Sequence, residues 1–250
     1  MRVLLAIGVL ATSCGTLVAA PATDGADAGS PAPPPSKADG GTDAPPPDAG
    51  LDATFCQRRA GDLACEDFDQ GHGLPLIANG DAAGIVVADP TTTSPPNAFE
   101  STSPAANALA IAGYFVRPFD DFRSYAFDFD YRIVAPSSVT SGALFAYVDF
   151  QVGGQRTTAL EIRVDSSPAA SMQWDDIEHG QVGTQIAADV SGSGPWYHLS
   201  FTLDATGAKS SHGVAAPPQP LTGEMYLVLG IVQNPTGGSM TVRYDSATVR

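Results

Sequence analysis

Charged and aromatic side chains alternate with apolar ones along several predicted strands, on the side opposite the apolar residues. The residues of this kind that we predict to bind a ligand are Tyr147, Asp149, Gln151, Glu161, Arg163, Trp196 and His198. The same predicted polar faces also carry Asp128, Asp130, Arg132 and Phe145. Aromatic rings stack on the C–H faces of sugars, and carboxylate, amide and guanidinium groups bond sugar hydroxyls. The set therefore predicts a shallow carbohydrate-binding surface, with an ordinary solvated face as the alternative.

Other kinds of chemistry have little support in the sequence. The four histidines are scattered without metal-ligand spacing, so we predict no transition-metal site. The sequence contains no Gly-x-Ser-x-Gly nucleophile motif and no glycine-rich phosphate loop. The acidic pairs Asp120-Asp121 and Asp175-Asp176 could donate oxygens to calcium, although plain acidic turns are the favoured interpretation. We therefore predict no cofactor, with calcium as the open alternative, and we assign no catalytic residue.

Three consecutive segments position most of the polar set. Residues 124–133, 143–152 and 158–164 each alternate apolar and polar side chains with a period of two. Such alternation indicates strands with one buried and one exposed face. Three of them in succession predict neighbouring strands in the middle of an antiparallel sheet.

The rest of the domain also favours short strands. The further predicted strands are 63–68, 85–88, 108–112, 171–174, 184–187, 196–203, 224–232 and 239–249, and residues between 89 and 104 are predicted to be turn-rich. No helix longer than a turn or two and no fixed-period repeat is predicted. This pattern predicts an all-β fold, namely a two-sheet antiparallel β-sandwich or jelly roll.

The first fifth of the chain has a different composition. Residues 1–20 are predicted to be a signal peptide, because Met1-Arg2 is followed by an apolar run of signal-peptide length. This run is too short for a stable membrane anchor. Residues 10–14 are similar to a bacterial lipobox, which would make Cys14 the lipidated residue; ordinary cleavage after Ala20 or Ala22 is the alternative. We predict an exported protein, either an outer-membrane or cell-surface lipoprotein or a periplasmic or secreted one.

A tether and one folded domain are expected after the leader. Residues 21–53 are rich in Pro, Ala, Gly and Asp and have almost nothing apolar to bury, so this segment is predicted to be disordered. Residues 54–250 are predicted to be the β-sandwich domain. In an exported protein, Cys56 and Cys65 are expected to form a disulfide, with two free thiols as the alternative.

The charge of the chain restricts its partners. Lys and Arg number 12 against 27 Asp and Glu, which gives a formal net charge of −15. Such a chain repels phosphate backbones, so nucleic acid is not predicted as a partner. The predicted partner is a polysaccharide or another glycan, with membrane contact only through a lipid on Cys14. The oligomeric state is left open.

Three segments resemble one family of β-sandwich domains. Residues 63–69 resemble the opening strand, residues 194–204 the Trp-led alternating strand, and residues 242–249 the closing strand of concanavalin A-like, laminin G-like domains in bacterial exported proteins. In the last segment Ser246 and Ala247 replace the Asn-Val that is common there. The resemblance covers about residues 63–250 and implies a two-sheet sandwich with one concave face, which in such folds often holds carbohydrate.

The resemblance also bears on catalysis. Laminarinase-like members carry Glu-x-Asp-x-Glu on one strand, whereas here Arg163 occupies the middle position between Glu161 and Asp165. We therefore predict non-catalytic glycan binding or adhesion. Three alternatives stay open: a hydrolase using Asp149 and Glu161, a lyase using Tyr147 or His198 as base, and a structural envelope protein without a small ligand.

Overall fold

The structure, a computed structural model, describes residues 55–69, 76–78, 83–104, 110–112, 116–135, 142–166, 169–177, 179–192, 195–233 and 239–250. All of these belong to one compact unit, Pro47–Arg250. No helix in these ranges is long and apolar enough to cross a membrane. The predicted signal peptide at 1–20, Cys14 and the tether at 21–53 lie outside the described residues, and what was predicted for them stays a prediction.

The described residues form seventeen strands and one 3-10 turn, Cys56–Arg59. In chain order the strands are β1 (Ala64–Glu66), β2 (Leu76–Ala78), β3 (Ala83–Ala88), β4 (Asn97–Ser103), β5 (Ala110–Ala112), β6 (Val116–Pro118), β7 (Tyr125–Ala135), β8 (Ala143–Val152), β9 (Gln155–Ser166), β10 (Ala169–Asp176), β11 (Gln181–Ala187), β12 (Asp189–Ser191), β13 (Tyr197–Asp204), β14 (Gly207–Ser210), β15 (Gly213–Ala215), β16 (Glu224–Gln233) and β17 (Met240–Val249). The prediction of an all-β fold is confirmed.

The strands form two antiparallel sheets. The first sheet has nine strands, in the order β15-β14-β13-β7-β17-β4-β3, with β1 on β17 and β12 on β13. The second sheet has eight strands, in the order β11-β10-β9-β8-β16-β5-β2, with β6 on β16. The prediction of a two-sheet antiparallel β-sandwich is confirmed as well.

An aromatic core holds the two sheets together. The Phe127 and Phe201 rings stack within the first sheet, with centroids 4.9 Å apart. The Tyr131 ring lies 4.8 Å from that of Phe145 in the second sheet. The buried hydroxyl of Tyr244 donates to the Phe145 carbonyl oxygen at 2.7 Å. These contacts fix which face of each sheet points outward.

The structure corrects the expected pairing of the three alternating segments. Strand β7 lies in the first sheet between β13 and β17, whereas β8 and β9 pair with each other in the second sheet. Residues 124–133 and 143–152 are therefore not neighbours in one sheet, contrary to the prediction. Alternation shows that one face of a strand is buried, but it does not determine which strand lies beside it.

Phe145 lies in the core and not on the predicted polar face. The pairing of β8 with β9 shifts register between Leu144 and Ala146, so Phe145 is an extra residue in the strand. A bulge of this kind interrupts the alternation of the two faces. Phe145 is accordingly fully buried.

A disulfide closes the start of the domain, as predicted. Cys56 in the 3-10 turn is bonded to Cys65 in β1, with their Cα atoms 5.5 Å apart. Closing so short a loop contributes on the order of 2–3 kcal/mol to stability in the chain-entropy account.

Candidate functional site

The structure divides the seven predicted ligand-binding residues between two surfaces. Five of them are on β8 and β9 of the second sheet: Tyr147, Asp149, Gln151, Glu161 and Arg163. The other two, Trp196 and His198, lie immediately before and within β13 of the first sheet. Because the sheets pack face to face, their outer faces point in opposite directions. The seven residues therefore do not form one surface.

The outer face of the second sheet carries a row of side chains across five strands. The pairing register places Val228, Tyr147, Glu161, Gln173 and Gln185 side by side on β16, β8, β9, β10 and β11. With adjacent strands about 4.8 Å apart, this row is about 19 Å long. Its β16 end is apolar and its β11 end is polar and exposed. We call this surface, with the outward residues beside the row, the second outer face.

Three donors converge on one oxygen of Glu161 in the middle of the row. Arg163 donates to Glu161 Oε2 from Nε at 3.0 Å and from Nη2 at 2.7 Å, and Gln173 Nε2 donates to the same oxygen at 3.1 Å. Arg163 Nη1 also donates to the Gly142 carbonyl at 2.9 Å. The Glu161 and Arg163 side chains are 12% and 18% exposed, so the cluster is fixed in orientation yet reaches the surface.

A second arginine organises the neighbouring part of the face. Arg156 forms an ion pair with Asp149, which also accepts from Gln151 Nε2 at 2.8 Å. Burial raises the pKa of Asp149, and the Arg156 charge offsets part of that effect. The guanidinium lies over the Tyr147 ring, 4.4 Å from its centroid. Tyr147 is therefore packed against Arg156 and is only 7% exposed, so its ring is not the open stacking platform that the sequence indicated.

Sequence reasoning missed four residues of this face: Arg156, Gln173, Asp175 and Tyr226. The signals were present, since Gln173 and Asp175 continue the alternation of β10 and Tyr226 alternates with Glu224 on β16. Asp175 was predicted to be in a turn between two strands, but β10 extends to Asp176. Partial burial and then the Glu161 carboxylate raise the pKa of Asp175.

One carboxylate of each acidic pair considered for calcium is held by a basic side chain. The Asp120 carboxylate lies 3.0 Å from Arg123 Nε, and that of Asp176 lies 2.9 Å from His179 Nδ1. In the part of the chain that the structure describes, no group of three or more His, Cys, Asp or Glu side chains is arranged to hold a metal ion.

A loop between β3 and β4 packs across the outer face of the first sheet. Within residues 89–96, Asp89 pairs with Arg132 at 3.3 Å and with Arg243 at 2.7 Å. The backbone N–H of Ser94 donates to Asp245 at 2.6 Å and its hydroxyl donates at 2.5 Å. Asp245 is completely buried, and burial raises its pKa to about 6 despite these bonds. We call this surface, with its loop, the first outer face.

A threonine of the same loop joins two carboxylates of the sheet. Thr93 Oγ1 lies 2.5 Å from Asp130 Oδ2 and 3.0 Å from Asp245 Oδ2. Asp130 and Asp245 are paired residues on β7 and β17. The loop is therefore bonded to two central strands of the first sheet.

His198 and Trp196 belong to this bonded region. His198 Nδ1 lies 2.8 Å from Asp130 and Nε2 lies 3.6 Å from Asp128, and these two carboxylates, Asp128 first, raise the pKa of His198 to about 9. The imidazole is therefore protonated at neutral pH and cannot act there as a general base. Trp196 Nε1 donates to Thr91 Oγ1 of the loop at 3.3 Å.

Partial burial disfavours the charged form of Asp128, but hydrogen bonds from His198, Ser200 and Arg250 hold its pKa well below the usual range.

Beside these residues the first outer face has a shallow, open depression of about 290 Å³, lined by Asp189, Val190, Ser191, His198, Ser200, Ser211 and His212. The region is thus polar and charged, with its ionised groups bonded to one another.

Comparisons with known proteins define the fold and no family. No family model matches the chain, and no curated protein matches its sequence. Among solved structures, the cellulose-induced protein Cip1 aligns over 75% of this chain and 96% of its own, with 12% identity and a TM-score of 0.53. The CBM22-1 xylan-binding domain of Paenibacillus barcinonensis Xyn10C covers 76% of this chain and 93% of its own, with 11% identity and a TM-score of 0.38. At such identities, only the likeness to Cip1 bears on the structure, and it supports the β-sandwich fold alone.

Proposed function

We propose that this protein binds polysaccharide without catalysis, through the second outer face of its β-sandwich. The domain is exported and is carried on the tether at residues 21–53, with a lipid on Cys14 as its membrane anchor. Its finer fold assignment is concanavalin A-like, in keeping with the resemblance of residues 63–69, 194–204 and 242–249.

The observation that carries this proposal is the Glu161, Arg163 and Gln173 cluster. A carboxylate, a guanidinium and an amide are held side by side by mutual hydrogen bonds and are partly exposed. Planar polar groups of this kind bond sugar hydroxyls, and groups that are already ordered lose less entropy when a ligand binds. The Tyr226 ring, which is half-buried and packs against the buried Val228, adds an apolar surface that suits the C–H face of a sugar.

The same contacts favour binding over hydrolysis or elimination. Glycoside hydrolysis uses two carboxyl groups that flank the scissile bond as acid and as base or nucleophile. Here the carboxylates of Asp149 and Glu161 are each held by an arginine of the same face. His198, a candidate base for a lyase, lies on the other outer face and is protonated at neutral pH.

The test uses a matched pair of variants on the two faces. Glu161 pairs with Arg163 Nε at 3.0 Å, and Glu100 pairs with Arg243 Nε at 2.8 Å on the first outer face, with a similar side-chain exposure of 18%. The purified protein is first screened by affinity electrophoresis against soluble β-glucans, xylans, mannans and other polysaccharides, with product detection on each. For a polymer that retards it, Glu161→Gln is expected to weaken binding about tenfold, because a charge-assisted hydrogen bond is lost.

Two further variants locate the site. Glu100→Gln and Trp196→Ala are expected to keep wild-type retardation, since both residues contact the first outer face. Loss of binding in Glu100→Gln with no change in Glu161→Gln would contradict the assignment of the site. Accumulation of reducing ends or unsaturated products would contradict the non-catalytic part of the proposal.

A further inference from the structure

The charges of the second outer face restrict the kind of polysaccharide it can accept. Its arginines are already neutralised: Arg156 forms an ion pair with Asp149, and Arg163 donates twice to Glu161. Arg163 also uses Nη1 on a backbone carbonyl. A ligand carboxylate or sulfate would therefore have to compete with a protein carboxylate for each guanidinium.

Two further carboxylates on the same face form no ion pair with an arginine in the described part of the chain. Asp175 lies among Glu161, Arg163 and Arg156 but forms no ion pair of its own in the described ranges. Glu224, the first residue of β16, is exposed and accepts a hydrogen bond from Tyr226 Oη at 2.8 Å. Among the side chains that the structure describes, this face thus presents two arginines against four carboxylates.

We infer that the second outer face selects uncharged polysaccharide chains and rejects those that carry uronate or sulfate groups; the inference rests on the proposed function of that face. A neutral sugar donates hydrogen bonds from its hydroxyls to the carboxylate oxygens, and no charge repulsion opposes its binding. An anionic chain meets unpaired like charges at close range, and such contacts oppose binding. The net charge of −15 on the whole chain acts in the same direction at low salt.

The test compares polymers that share one backbone. The full-length protein is run by affinity electrophoresis in hydroxyethylcellulose and carboxymethylcellulose, and in arabinoxylan and glucuronoxylan, at low and at high salt. The neutral member of a bound pair is expected to bind about tenfold more tightly at low salt. The preference should shrink at high salt, where charges separated by more than a few ångströms are screened.

Two variants, each lacking one carboxylate, distinguish the effect of charge on the face from the effect of the net charge of the protein. Asp175→Asn removes an unpaired charge from the face and is expected to narrow the neutral-to-acidic affinity ratio about threefold. Asp121→Asn makes the same change in net charge in the exposed turn before β7 and should leave the ratio unaltered. An equal narrowing in both variants would show that the ratio reflects overall charge and would overturn the inference.

The outcomes distinguish this inference from the proposed function. Equal or tighter binding of the acidic member at low salt overturns the selectivity and leaves glycan binding in place. If no neutral or acidic polymer retards the protein, both the selectivity and the proposed glycan binding are overturned.

Discussion

The two outer faces of the sandwich use the same residue types in different ways. On the first outer face, Asp, Arg, Thr and His side chains bond a loop to the sheet, as Asp89 does with Arg132 and Arg243. On the second outer face, the bonds run between neighbouring strands of one sheet, as they do from Arg163 and Gln173 to Glu161. The cluster of the first outer face joins two segments and stabilises the fold, whereas that of the second outer face is laid out along the sheet, where we propose that it binds a ligand. Polarity alone therefore does not identify a binding surface.

The largest expected effect on stability comes from breaking the contact between the loop of residues 89–96 and the first sheet. Asp245→Ala leaves the Ser94 N–H and the Ser94 hydroxyl without their buried acceptor, while the Thr93 hydroxyl keeps Asp130 as its acceptor. The free energy of unfolding is expected to fall by about 1.5–3 kcal/mol, the range for hydrogen bonds to a charged group. Urea denaturation followed by tryptophan fluorescence measures it.

The control for this variant lies on the second outer face. Asp175→Ala removes a half-buried carboxylate that has no ion pair among the described residues, and its effect on stability should stay below about 1 kcal/mol. If the two variants were equally destabilising, the first outer face would have no special structural role.

A smaller effect concerns pH and His198. Its pKa is raised to about 9 in the folded protein from an ordinary value of 6.5, so the folded state binds more protons than the unfolded state between those values. The stabilisation is complete below pH 6.5 and is lost as the pH rises through 9. Because His198 is about half exposed, screening reduces the effect to about 1 kcal/mol.

The measurement is the free energy of unfolding of the wild type and of His198→Gln at pH 6 and pH 9.5. The wild type should lose more stability than the variant over this interval. Parallel pH profiles would show that the carboxylates of Asp128 and Asp130 do not stabilise the imidazolium.

The sequence predicted the long strands whose core faces are apolar, and it missed β4, whose core face is partly polar. Strand β8 was predicted with its observed bounds, Ala143–Val152. Strand β4 was predicted to be turn-rich, because Ser101 and Ser103 occupy its buried positions. Ser101 is accommodated there because its hydroxyl accepts from the Ile231 N–H of the second sheet at 3.0 Å. That contact spans 130 residues of chain, and no local pattern encodes it.

The candidate site was predicted only in part for a related reason. The alternation of β8 and β9 correctly placed Glu161 and Arg163 on one outer face. The same pattern in β13 could not show that Trp196 and His198 belong to the other sheet, because a period of two carries no information about which layer a strand joins. Arg156 was missed because its position depends on the register shift beside the hairpin turn at Gly153 and Gly154.

Hydrogen–deuterium exchange tests most directly whether the ligand binds the second outer face and not the first. It is measured with and without a polysaccharide that retards the protein in affinity electrophoresis. The full chain is labelled in both states, and protection is read by peptide. Our account predicts added protection in β8, β9 and β10, between Ala143 and Asp176, and no change in residues 89–96 or in β13. Protection of residues 89–96 and β13, with β8 to β10 unchanged, would contradict it and would place the ligand on the first outer face.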